Sequence, residues 1–429
     1  MSEIVFPKGF LWGSATSSHQ VEGHNTNNDW WEWEQAGKTK EPSGAACDQY
    51  HRFRGDFDLA HQLGHNAHRF SIEWSRVEPR EGEFSDEALA HYREMVLALR
   101  ERGLEPIVTL HHYTNPLWLA HQGGWLNPIV VDRFARFTRR VVEALGDQVR
   151  YWLTINEPMV YAVMHYLDGV GPPGHHDLQE AFRVMEHLIR AHAASYHVIH
   201  EVAVSNGWRV DVSLAKHSQP FVPCRPLVPM DRMVAGLTER VYNHRFEDTL
   251  FDGQLRIPGV KTIKIPEARR TLDFIGMNYY GRIFMRFKRI GHHQWWGERC
   301  STSHHKDVTE RNSLEWDVYP PGIAEVIKWV VPRKLPILIT ENGICTSDDQ
   351  QRERFVKRHL AVIGRMIQAG APVIGYLYWS LTDNFEWALG YGPRFGMIEM
   401  DYATQTRRIR PSARAFAEIC RSNRLHIAE

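Results

Sequence analysis

The chain has 429 residues, with 51 basic and 51 acidic side chains and so no formal net charge at neutral pH. Charges of both signs are interspersed, which argues against nucleic acid or an anionic membrane as partner and predicts a small neutral molecule instead. No apolar run reaches membrane-spanning length, and Met1-Ser-Glu-Ile-Val-Phe-Pro-Lys8 lacks a basic region followed by an apolar stretch, so a soluble, cytoplasmic protein is expected.

Short apolar runs recur at 10–15, 67–73, 106–111, 151–155, 210–216, 272–279, 336–340 and 373–379. The segments between them carry helical patterns. In 86–102, Leu89, Tyr92, Val96 and Leu99 fall on one stripe, with Ser85 placed to cap the start and Gly103 to end it. Asn127-Pro128 opens the next helix, since asparagine caps and proline suits the first turn, and Phe134, Phe137, Val141 and Leu145 repeat until Gly146. Segments 177–200 and 351–368 read the same way.

Strands that are apolar on both faces and alternate with helices predict an α/β fold, a (β/α)8 TIM barrel forming one domain over 1–429. A doubly wound open sheet is the alternative. The barrel is preferred because polar and aromatic residues follow the strands from many points along the chain. A barrel gathers all those strand tips at one mouth, whereas an open sheet gathers only those near its switch point. Three long irregular stretches, 23–49, 219–265 and 282–321, are expected as loop insertions around that mouth.

The cysteines, Cys47, Cys224, Cys300, Cys345 and Cys420, are odd in number, widely spread and in no Cys-x-x-Cys pair. That argues against a disulfide framework or a structural zinc site, and for a reducing compartment. The last insertion carries His292-His-Gln-Trp-Trp296 and His304-His305, but no carboxylate or third ligand stands at helical spacing, so no metal is expected there. Gly169-Val-Gly-Pro-Pro-Gly174 has the letters of a dinucleotide loop, yet it does not directly follow a strand and its prolines remove backbone donors.

Two strands end in a glutamate. Tyr151-Trp-Leu-Thr-Ile-Asn-Glu-Pro158 delivers Glu157, with a proline just past it, and Ile337-Leu-Ile-Thr-Glu-Asn-Gly343 delivers Glu341, with a glycine that lets the backbone turn away. A pair of strand-tip glutamates suits acid and nucleophile chemistry. Fifteen tryptophans, several near strand ends, offer flat faces of the kind that pack on sugar rings.

Thr154-Ile-Asn-Glu-Pro158 and Ile339-Thr-Glu-Asn-Gly343 resemble the two catalytic signatures of family 1 glycoside hydrolases, the β-glucosidase and β-galactosidase group. Further matches follow in the family's order: Phe10-Leu-Trp-Gly-Ser-Ala-Thr16 with Gln20-Val-Glu-Gly23, Arg69-Phe-Ser-Ile-Glu-Trp-Ser-Arg76, Asp273-Phe-Ile-Gly-Met-Asn-Tyr-Tyr280 and Tyr378-Trp-Ser-Leu-Thr-Asp-Asn-Phe-Glu-Trp387. Arg394-Phe-Gly396 and Asp401-Tyr402 belong to the same resemblance, which covers nearly the whole chain.

The resemblance implies a retaining exo-β-glycosidase that removes a terminal β-linked glucose, galactose or fucose without metal or organic cofactor. Glu341 is then the nucleophile and Glu157 the acid and base, with Arg69 and Tyr280 holding Glu341. Asn156 matches the contact to the sugar 2-hydroxyl, and Asn278 a position near it. Gln20, His112, Glu386 and Trp387 match the hydroxyl-binding set, and Trp379 the platform under the ring. Glu386 stands where relatives acting on 6-phosphorylated sugars lack a glutamate and supply cations, so a neutral sugar is expected. Two positions depart from the commoner pattern: Tyr113 and Met159 stand where many relatives carry tryptophan. Alternatives are a mainly transglycosylating enzyme, or a non-catalytic sugar-binding relative, which typically loses one of the glutamates.

Overall fold

The computed structural model describes residues 2–289 and 297–427, so His292-His-Gln-Trp-Trp296 lies outside the described residues. The eight anticipated apolar runs are strands β1 (Leu11–Ala15), β2 (Ala67–Ser71), β3 (Glu105–His111), β4 (Tyr151–Asn156), β5 (Asp211–His217), β6 (Ile275–Asn278), β7 (Ile337–Asn342) and β8 (Val373–Trp379). Each pairs in parallel with its neighbour in the chain, and β8 pairs with β1, so the sheet closes into a barrel without an edge. Closure satisfies every ladder and separates this fold from the open-sheet alternative.

The principal helices are α1 (Gln49–Gln62), α2 (Asp86–Glu101), α3 (Val130–Leu145), α4 (Leu178–Asn206), α5 (Phe246–Asp252), α6 (Pro320–Val330), α7 (Asp349–Gln368) and α8 (Pro411–Ser422). Local chemistry explains their starts. Ser85 Oγ accepts from the N–H of Ala88 at 3.1 Å, and Asp177 Oδ1 from those of Gln179 and Glu180 at 2.7 and 3.0 Å. The α3 stripe of Phe134, Phe137, Val141 and Leu145 is fully buried, each side chain contributing about 1.5–3 kcal/mol. Inside the barrel, Ala67, Ile107, Leu153, Phe274, Leu338 and Leu377 form the plug beneath the mouth.

Glycine is required where β7 turns toward β8. A Cβ at Gly343 would lie 2.1 Å from the carbonyl oxygen of Trp379.

The three insertions hold more regular structure than their irregular sequences suggest. Segment 23–49 contains the helix Asp29–Gln35, and segment 219–265 the helix Pro229–Glu239, followed by a π-helical turn at Arg240–Arg245 and then α5. The strands Phe221–Pro223, Ile283–Phe287 and Gly297–Arg299 form a separate three-stranded sheet with Ile283–Phe287 at its centre. This sheet corrects the expectation of unpaired cysteines: Cys224 and Cys300, 76 residues apart, form a disulfide because they follow its two outer strands. Cys47, Cys345 and Cys420 are free and buried. Among the described residues no helix is long and apolar enough to cross a membrane.

Candidate active site

Glu157 sits one residue past β4, and the helix Pro158–Tyr166 starts immediately after it. The turn puts Glu157 in the left-handed region at φ 46°, an uncommon conformation for a non-glycine residue and one that clusters at functional positions. Glu341 lies near the tip of β7, in register with Asn278 of β6.

Arg69, on β2, connects the two carboxyls. Its Nη1 donates to Glu341 Oε1 at 2.5 Å, its Nη2 to Asn156 Oδ1 at 2.7 Å and its Nε to Thr109 Oγ1 at 2.9 Å. Arg69 and Glu341 are both buried, so losing either partner would leave a charge without compensation, at a cost of about 3–5 kcal/mol. Tyr280 donates its hydroxyl to Glu341 Oε2 at 2.7 Å, which occupies the second oxygen.

Asn278 makes direct contact with the acid–base candidate. Its Nδ2 donates to Glu157 Oε1 at 2.8 Å and to Asn156 Oδ1 at 3.1 Å, while its own Oδ1 accepts from Thr340 Oγ1 at 2.6 Å. A continuous polar chain therefore runs from Glu157 through Asn278, Asn156 and Arg69 to Glu341. The other oxygen of Glu157 accepts from the hydroxyl of Tyr113.

Burial pushes both carboxyls above the usual glutamate range. For Glu341, lifted to about 7, the Arg69 guanidinium opposes the rise and the neighbouring Glu157 adds to it. For Glu157, the hydrogen bonds from Tyr113 and Asn278 oppose it, and the more distant guanidinium contributes less. Arg69 touches Glu341 and not Glu157, which biases the negative charge of the pair toward Glu341.

Around this pair lie the anticipated sugar-binding residues. The His112 ring is nearly parallel to those of Trp379 and Trp387, with centroids 5.8 and 6.2 Å away, and its Nε2 is 3.2 Å from Asn156 Nδ2. Burial holds His112 neutral. Its Nδ1, and Oε1 of Glu386, are buried without a hydrogen-bond partner among the described residues. Burial also raises the Glu386 carboxyl to about 8. Gln20 differs from the others in being fully engaged within the protein: it accepts from Ser17 Oγ at 2.6 Å and donates to Asn384 Oδ1 at 3.0 Å and to the Phe385 carbonyl at 2.8 Å.

Two contributions escaped the sequence reading. Tyr113 was legible as a departure from the family pattern, but its reach to Glu157 depends on a left-handed backbone at φ 76° that no local motif announces. His19 stacks behind Trp387 at 5.7 Å and lies 2.8 Å from Glu34, supporting the wall of the site from the short helix Ser18–Val21, next to Gln20.

Met159, two residues beyond Glu157, lines a cavity of about 570 Å³ together with Val163, Phe182, Phe221, Tyr242 and Met285, with Glu298 and Arg299 also on its wall.

The family model described as "Glycosyl hydrolase family 1" matches residues 2–425. β-Glucosidase A of Thermotoga maritima is 32% identical over 455 residues, covering 99% of this chain and all of that protein. A β-glycosidase structure from Pyrococcus horikoshii superposes with a TM-score of 0.91 at 38% identity, covering 99% of this chain and 97% of that one. The Thermotoga maritima β-glucosidase in complex with glucoimidazole matches with a TM-score of 0.89 at 31% identity, covering 98% and 99% of the two chains. With a family match over nearly its full length and relatives this similar, the chain belongs to glycosyl hydrolase family 1 and is a glycoside hydrolase.

Proposed function

We propose that the protein is a retaining exo-β-glycosidase, a single catalytic unit that releases a terminal β-linked glucosyl residue, and also galactosyl or fucosyl residues, by double displacement. The observation that carries this reading is the unequal treatment of the two strand-tip carboxyls. Glu341 is held by a guanidinium and a phenol, whereas Glu157 is held by neutral donors alone.

In the first step Glu341 attacks the anomeric carbon while Glu157 gives its proton to the departing oxygen, leaving a glycosyl ester on Glu341. In the second, Glu157 takes a proton from water, which attacks the same carbon and frees Glu341. Esterification removes the charge of Glu341 and with it the repulsion between the carboxyls, so Glu157 can then serve as a base. Each proton is accounted for by the two carboxyls and water, so the scheme needs neither metal nor organic cofactor.

Asn156 is suited to the 2-hydroxyl, and Trp379 and Trp387 to the ring. The unpartnered His112 Nδ1 and Glu386 Oε1 suit further hydroxyls of a neutral sugar, while Gln20 would give up an internal bond to join them. The apolar cavity beside Met159 favours leaving groups with apolar character, alkyl or aryl rather than a second sugar. A cytoplasmic location belongs to the same proposal: three of the five cysteines are free and buried, and the Cys224–Cys300 bridge is the one feature that departs from a reducing compartment.

The test is Glu341→Ala assayed on an aryl β-glucoside. Turnover should fall by at least about 10⁴-fold, and azide should restore part of it by filling the vacated space and giving an α-configured product. Substantial unassisted activity would sink the assignment.

A further inference from the structure

His304-His305 and the disulfide pair have no part in the hydrolytic site, yet they meet in the fold. The N–H of Cys224 donates to the carbonyl of Met285 at 2.7 Å, and that of Cys300 to the carbonyl of Phe284 at 2.8 Å. The strand Ile283–Phe287 thus holds both cysteines on one end of the three-stranded sheet, with Cα atoms 6.1 Å apart. From the turn Thr302–His304, His305 lays its ring on Phe284 at 3.6 Å. Its Nε2 is buried and has no hydrogen-bond partner among the described residues. One ring nitrogen of His305 and both sulfurs lie within 4.8 Å of one another, and His304 Nδ1 is 3.4 Å from the Cys300 sulfur.

Two sulfurs and one or two imidazoles are the donor set of a zinc site, in which ligand atoms sit about 2.0–2.3 Å from the metal. A disulfide blocks such a site, because only thiolates bind the metal. We propose that Cys224, Cys300 and His305, with His304 as the fourth donor, form a Zn²⁺ site that opens when the disulfide is reduced.

The steps balance. A dithiol reductant passes two electrons and two protons to the disulfide, giving two thiols and the oxidised reductant. Zn²⁺ then replaces the two thiol protons, which go to solvent.

Either state ties the ends of Phe221–Pro223 and Gly297–Arg299 together. Phe221, Glu298 and Arg299 line the 570 Å³ cavity beside Met159, so the tie braces that cavity wall in both oxidising and reducing surroundings. The ligands escaped the sequence reading because the histidines' partners come from 224 and 300 and not from helical spacing.

The experiment uses the full chain, oxidised or reduced with a phosphine that is then removed, and titrated with Zn²⁺ against a chromophoric chelator. The reduced protein should take up one equivalent, with release of about two protons, and the oxidised protein none at that site. Cys224→Ser should abolish the uptake and His305→Ala should weaken it at least tenfold. Co²⁺ added to reduced wild-type protein provides a readout independent of any variant's folding: the visible bands of a tetrahedral thiolate complex should appear, and vanish on oxidation. Equal Zn²⁺ uptake by oxidised, reduced and Cys224→Ser proteins, or a thiolate-free Co²⁺ spectrum, would overturn the site and leave the hydrolase reading untouched.

Discussion

The hydroxyl of Tyr113 donates to Oε2 of Glu157, so both oxygens of the proposed acid–base carboxyl receive a hydrogen bond, the other coming from Asn278. Donors favour the ionised carboxylate, which offsets the upward push of burial and keeps Glu157 able to release its proton as well as hold it. Tyr113→Phe removes one donor and keeps the ring. The Glu157 pKa should rise by about one to two units, and the alkaline limb of kcat/KM, which requires protonated Glu157, should move to higher pH by that amount. An unmoved alkaline limb would show that Tyr113 packs against the site without tuning it.

Glu157→Gln should separate substrates by leaving group. For an alkyl glucoside, whose oxygen must be protonated as it leaves, kcat/KM should drop about 10²–10⁴-fold. For a dinitrophenyl glucoside the first step should change far less, while the second accumulates glycosyl-enzyme. Equal losses with both substrates would count against the proton-donating role.

Tyr280→Phe acts on the opposite limb. It deletes the donor 2.7 Å from Glu341 Oε2, and a carboxylate with one stabilising bond fewer ionises at higher pH. The acidic limb of kcat/KM, set by Glu341 ionisation, should therefore shift to higher pH, and the plateau should fall about 10–100-fold. A plateau loss without a shift of the limb would mean that Tyr280 positions the sugar and not the nucleophile.

Glu386 links pH to stability. Its pKa is raised from 4.5 to about 8 in the fold, so the native state binds the extra proton. This stabilising contribution is fully present below about pH 4.5 and is lost as pH rises through 8. Glu386→Gln mimics the protonated form at every pH. Relative to wild type, its Tm should change little at pH 5 and rise at pH 8.5. A Tm difference that is flat with pH would contradict the raised carboxyl.

The barrel was legible because each strand is a short apolar run bounded by polar residues and each helix repeats at its own period, as 134, 137, 141 and 145 do in α3. The contacts of Arg69 and Tyr280 with Glu341 were anticipated through the family resemblance of the motifs that carry them. The Cys224–Cys300 pairing was not legible, since it depends on three strands inside insertions whose register no periodicity encodes. Nor was the internal engagement of Gln20, which depends on the path of the segment that brings Asn384 and Phe385 beside it. Long-range neighbours within loops are set by tertiary packing and not by local pattern.

The close approach of Gly343 to the carbonyl of Trp379 makes the residue just beyond the nucleophile strand a spacer between reaction centre and sugar platform. Any side chain at that position would push the two apart by about 1 Å, so the strand carrying Glu341 and the strand carrying Trp379 behave as one part. Directed evolution toward a different sugar or leaving group can therefore vary the surrounding loops freely, but position 343 should return glycine from every round of selection.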